Sequence, residues 1–139
     1  MKTLIVEDDF ISRLVLQKML GGYGPSHVAV NGREAVTAVS ASLAAQEPYD
    51  LICLDIMMPD TDGHQALKEI RAIEAQQGVA SPTKILMTTA LSDGGNVMTA
   101  FREQCDGYLV KPIDRAKLIE HLRNFEFIDA SADEAPSRR

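Results

Sequence analysis

The sequence predicts a doubly wound α/β protein, a parallel sheet with helices on both faces. Five short apolar, β-prone runs alternate with five segments of helical periodicity along the 139 residues. The connections between them are short. The strand-like runs end at charged or hydroxyl side chains, at the edge where open α/β sheets bind ligands.

Thr3 to Val6 is the first run, and it ends at Glu7-Asp8-Asp9. Phe10 to Leu20 follows with helical spacing, in which Phe10 and Leu14, with Ile11, Val15 and Met19 of the neighbouring stripe, form the expected packing face. Gly21-Gly22-Tyr23-Gly24-Pro25 stops this helix. Ser26 to Val30 reads as the second strand, turned by Asn31-Gly32 into a helix over Arg33 to Gln46 with Ala35, Val36, Val39, Leu43 and Ala44 on its apolar side.

Tyr49 to Leu54 is the central strand, and it delivers Asp55 to a Met-Pro-Asp-Thr-Asp-Gly turn. Asp62 is placed to cap a helix from Gly63 to about Gln76, whose buried side is Ala66, Leu67, Ile70 and Ile73. Thr83 to Thr88 reads as the fourth strand, with Thr89 at its end. A Gly94-Gly95 loop leads into a weaker helical segment, Asn96 to Gln104. Gly107 to Val110 is the fifth strand and ends at Lys111-Pro112. Asp114 then caps a last helix that packs through Leu118, Ile119, Leu122 and Phe125.

The chain has the length of one domain able to bury its own core. A formal charge of −6, with no clustered Lys and Arg, argues against direct nucleic-acid binding and favours protein partners. No run is long enough for membrane insertion. Cys53 and Cys105 lack metal-ligand or redox spacing, so the expected compartment is the reducing cytoplasm.

Parallel strands bring their carboxyl ends to one edge, so Asp8, Asp9 and Asp55 can converge. Carboxylates in a small volume repel, and a hard cation such as Mg²⁺ relieves this. The competing reading is that Asp8 or Asp9 caps the first helix. Thr89 and Lys111 reach the same edge, where a hydroxyl and an ammonium can meet a transferred oxyanion. These groups describe a phosphoryl site centred on Asp55.

Four pieces, LIVEDD at 4 to 9, LICLDIMMPDTDG at 51 to 63, ILMTTA at 85 to 90 and GYLVKP at 107 to 112, together resemble the receiver domain of two-component response regulators, close in size to the stand-alone chemotaxis type. The resemblance covers roughly residues 2 to 125. It implies a flavodoxin-like (βα)5 fold with strand order 2-1-3-4-5, a receiver domain over residues 1 to 128, and a frayed tail over 129 to 139.

It also implies that Asp55 accepts a phosphoryl group from the phosphohistidine of a partner histidine kinase or phosphotransfer protein, or from a small acyl phosphate. Asp8, Asp9, Asp55 and the backbone carbonyl of Met57 would hold Mg²⁺. Lys111 would meet the phosphoryl oxygen, and the Lys111-Pro112 bond would be cis. Thr89, preferred over Thr88 by its spacing to Lys111, and Tyr108 would form the switch for a downstream protein target. Such a chain catalyses its own phosphorylation and slow dephosphorylation, and is mainly a signalling switch, a monomer or a phosphorylation-dependent dimer.

Met57 and Leu91 offer nothing to orient water, which predicts a long-lived acyl phosphate. Thr61 and a longer connection around Ala75 to Pro82 depart from the family pattern. The main alternative is a receiver-like module that binds protein without phosphorylation. An aspartyl phosphatase would place a second aspartate where Met57 stands. A flavin carrier shares only the architecture.

Overall fold

A computed structural model describes residues 1–58, 63–90 and 104–129. Its elements are β1 (Thr3–Val6), α1 (Phe10–Leu20), β2 (Ser26–Ala29), α2 (Gly32–Ala44), β3 (Leu51–Asp55), α3 (Gly63–Gln76), β4 (Lys84–Ala90), β5 (Gly107–Lys111) and α4 (Arg115–Asn124). The five strands form one sheet in the order β2-β1-β3-β4-β5, and every adjacent pair is parallel. The predicted doubly wound fold is therefore observed. The helix expected over Asn96 to Gln104, apart from Gln104 itself, the Asp62 cap, Thr61, Leu91 and the tail beyond Asp129 lie outside the described residues.

Alternation along the strands sorts the core into two layers. Leu4, Val6, Ile52, Leu54, Ile85 and Met87 pack with Ala35 and Val39 of α2 and Ala66, Leu67 and Ile70 of α3. Ile5, Leu51, Cys53, Leu86 and Leu109 pack with Leu16 and Leu20 of α1 and Leu118, Ile119 and Leu122 of α4. Strands buried on both faces explain why the sequence runs are continuously apolar rather than alternating.

The helix starts follow from their caps. Asp9, Asn31 and Asp114 each have extended backbone and accept a backbone N–H two or three residues on. Asn31 thus opens α2 directly, and Glu34 reaches back to the Val30 N–H at 2.9 Å. Gly63 starts α3 so close to the end of β3 that a Cβ there would run into the Asp55 carbonyl.

The packing face expected for α1 is corrected. Leu16 and Leu20 face the sheet, whereas Phe10 and Ile11 are each 62% exposed and Leu14 and Val15 are also exposed. Met19 alone of the expected stripe packs against the core. The helix carries apolar residues around most of its circumference, so periodicity does not select which side meets the sheet. On α3, Glu74 is buried while Ile73 is half-buried.

Candidate functional site

Three side chains converge at the carboxyl edge of the sheet, above the α1/α4 layer. Ile5, Cys53 and Leu109 belong to that layer. Two residues further along their strands stand Glu7, Asp55 and Lys111, which alternation returns to the same face. Glu7 is fully buried, and Asp55 is 4% exposed. Lys111 Nζ lies 2.6 Å from Glu7 Oε1 and 3.4 Å from Asp55 Oδ2. Asp55 Oδ1 accepts the Met57 N–H at 3.2 Å, and Glu7 Oε2 accepts the Asp9 N–H at 3.2 Å.

Among the described residues, Glu7, Asp8 and Asp55 each present a carboxylate oxygen within 4.8 Å of the others. Asp9, expected in this cluster, is outside it. It caps α1 by accepting the Ser12 N–H at 2.8 Å, and that hydrogen bond holds its carboxyl below the usual range. The acidic trio thus contains Glu7 where Asp9 was expected. The physical reason is strand parity: Glu7 continues the face of Ile5, while Asp9 already belongs to the helix start. A reading of Asp-x-x-Ser as a cap and of Ile5-x-Glu7 as strand alternation would have found it.

The pocket's electrostatics follow from its geometry. Burial raises the Asp55 pKa to about 7, and the hydrogen bond and charge of Glu7 add to this, while Lys111 and the Met57 N–H oppose it. For Lys111, burial works against the ammonium, but Glu7 and Asp55 outweigh it and the pKa is raised. Cys53, buried beneath the pocket, is pushed up to about 12 and stays an inert thiol.

The hydroxyl candidates lie on β4. The register pairs Thr88 with Asp55, Thr89 with Val110 and Ala90 with Lys111. Both threonines are buried inside the strand, and Thr89 Oγ1 donates to the Ala90 carbonyl at 3.2 Å. Tyr108 is half-buried and packs against the α2/α3 layer, with its carbonyl 3.1 Å from His121 Nε2. Met57, two residues beyond Asp55, is 62% exposed. The Lys111-Pro112 peptide is cis.

A 2-1-3-4-5 parallel sheet with an acidic pocket at its carboxyl edge, braced by a lysine from the last strand, defines a class of α/β signalling proteins. Comparison with known proteins gives the family. The chain belongs to the response regulator receiver domain family, whose sequence model matches residues 3–123.

It is 34% identical over 126 residues to the osmosensing histidine protein kinase SLN1 of Saccharomyces cerevisiae, covering 89% of this chain and 10% of that protein. It is 33% identical over 119 residues to the regulatory protein VanRB of Enterococcus faecalis, covering 86% of this chain and 49% of that protein. The chain thus spans less than half the length of these relatives.

Among solved structures it resembles the receiver domain of the histidine kinase CKI1 from Arabidopsis thaliana complexed with Mg²⁺ and BeF₃⁻. That match has a TM-score of 0.80 and 29% identity, covering 90% of this chain and 89% of that one. The receiver domain of the sensor histidine kinase PA1611 from Pseudomonas aeruginosa, with a magnesium ion in its active-site cleft, gives a TM-score of 0.72 and 30% identity, covering 89% and 95%.

Proposed function

We propose that this domain is a phosphorelay switch whose Asp55 accepts a phosphoryl group from the phosphohistidine of a histidine kinase or phosphotransfer protein. The observation that carries the reading is the convergence of Glu7, Asp8, Asp55 and Lys111 in one pocket at the carboxyl edge of the sheet. An Asp55 oxygen attacks phosphorus, the phosphorus–nitrogen bond to the donor imidazole breaks, and the imidazole leaves. The product is an aspartyl phosphate made by the domain's own groups.

The donor set fits Mg²⁺, being hard carboxylate oxygen with no sulfur or imidazole. Asp8, Asp55 and the Met57 carbonyl are the groups assigned to hold it, while the two oxygens of Glu7 are engaged by Lys111 and the Asp9 N–H. When bound, Mg²⁺ would supply positive charge that offsets the carboxylates and the transferred phosphoryl group. Lys111 carries the remaining positive charge, placed to meet a phosphoryl oxygen on Asp55. Met57 offers no group that orients water, which favours a slowly hydrolysed product.

Readout is assigned to Thr89 on β4 and Tyr108 on β5, which transmit occupancy to a downstream protein. The exposed apolar side of α1 is assigned to the phosphodonor protein, because Ile11 and Val15 share a groove with Lys111, Pro112 and Ile113. No helix among the described residues is long and apolar enough to cross a membrane. Two free thiols agree with a cytoplasmic setting.

Intact-mass measurement tests the reading. Wild type and Asp55→Ala are incubated with Mg²⁺ and an acyl phosphate or a competent kinase, with an EDTA control. One Mg²⁺-dependent phosphoryl adduct, lost in Asp55→Ala, is expected. No adduct from either donor would replace the reading with a binding module that works without phosphorylation.

A further inference from the structure

Glu7 and Lys111 stand at the ends of β1 and β5, which are three strand positions apart in the order β2-β1-β3-β4-β5. Three spacings amount to roughly 14 Å of sheet width. The two side chains nevertheless meet at 2.6 Å above the ends of β3 and β4, while Asp55 on the intervening strand is 3.4 Å from the same ammonium. Lys111 therefore rests on Glu7 first and on the phosphoacceptor second. Glu7 is itself fixed, fully buried, with its other oxygen on the Asp9 N–H.

We infer that Glu7 is the positioning residue for Lys111: its side-chain length sets where the ammonium rests and keeps it from closing on Asp55. Shortening residue 7 by one methylene withdraws its carboxylate by up to about one carbon–carbon bond, roughly 1.5 Å. That takes the pair from ion-pair contact to a separation longer than the present Asp55 distance. The ammonium then settles on Asp55 and competes with any cation that needs the same oxygen. Charge at residue 7 is unchanged by this, so the effect is one of reach.

The inference rests on the reading that the pocket takes a divalent cation, and the experiment separates the two. Metal-free crystal structures of wild type and Glu7→Asp are determined, and Mg²⁺ binding is measured calorimetrically for wild type, Glu7→Asp, Lys111→Met and the double variant. In Glu7→Asp, Lys111 Nζ is expected closer to Asp55 than to residue 7, with Mg²⁺ binding weakened about fivefold or more.

In the Lys111→Met background, Glu7→Asp is expected to change Mg²⁺ binding by less than twofold, because its effect acts through the lysine. A metal-free Glu7→Asp structure in which Lys111 stays nearer residue 7 would overturn the inference. So would an equal loss of Mg²⁺ affinity with and without the lysine. Wild type that binds no Mg²⁺ would overturn the cation-site reading, and the metal-free distances would still decide the positioning role.

Discussion

The Asp55 carboxyl lies between a buried carboxylate and an ammonium that Glu7 already engages. Its pKa of about 7 makes the domain's stability depend on pH. Below about pH 4 folded and unfolded chains both hold the Asp55 proton, and the contribution is complete. Between about 4 and 7 the unfolded chain releases the proton and the folded one keeps it, so stability falls, and above that the contribution is gone.

In EDTA, Asp55→Asn is therefore expected to be more stable than wild type at pH 8, by on the order of 1–2 kcal/mol after screening through the open sheet edge. The gap should close toward pH 4.5. Urea denaturation at the two pH values checks this, and a gap independent of pH would contradict it. Two residues beyond Asp55, Met57→Asn gives an incoming water a hydrogen-bonding partner. The phosphorylated protein should then decay faster, by up to about tenfold, and an unchanged decay rate would remove Met57 from the account.

At the scale of elements, α1 shows how sequence and structure divide the information. Its bounds were legible because Asp9, Gly21 and Gly22 frame an apolar-rich segment; its orientation was not, because that segment has two apolar sides. The side left exposed is the one beside Lys111. Ile11→Glu is expected to change stability by less than about 0.5 kcal/mol and to leave phosphorylation by a small acyl phosphate unaltered. Transfer from a cognate kinase should slow tenfold or more. Equal rates from both donors would place the docking surface elsewhere.

Across the whole molecule, the convergence was legible because β1, β3, β4 and β5 each lead into a residue whose chemistry differs from the apolar run before it. Asp55, Lys111 and Asp8 were found that way, whereas Glu7 was passed over in an acidic triplet that strand parity divides. The far edge gave no such signal. There Arg71 of α3 bonds Gln104 O at 2.7 Å, Glu74 at 2.8 Å, Thr83 O at 2.9 Å and Asp106 at 3.1 Å.

Asp106 in turn accepts the Ile85 N–H, and Glu74 the Thr83 N–H. This network ties α3 to the starts of β4 and β5 through single residues far apart in sequence, which no periodicity marks. Arg71→Met leaves the buried Glu74 carboxylate without its cation and removes the bonds to Thr83 O and Gln104 O, and is expected to cost about 2–4 kcal/mol, measured by urea unfolding. The folded fraction should accept phosphate to the same extent as wild type.

The pocket draws Glu7 and Asp8 from the beginning of the chain, Asp55 from its middle and Lys111 from the last strand. A nascent or truncated polypeptide that has made Asp55 but not β5 carries the acceptor without its ammonium. Only a finished and assembled sheet presents both. With Asp55 as the proposed acceptor, phosphoryl uptake is expected to double as an inspection of the receiver: chains truncated before β5 should take up none.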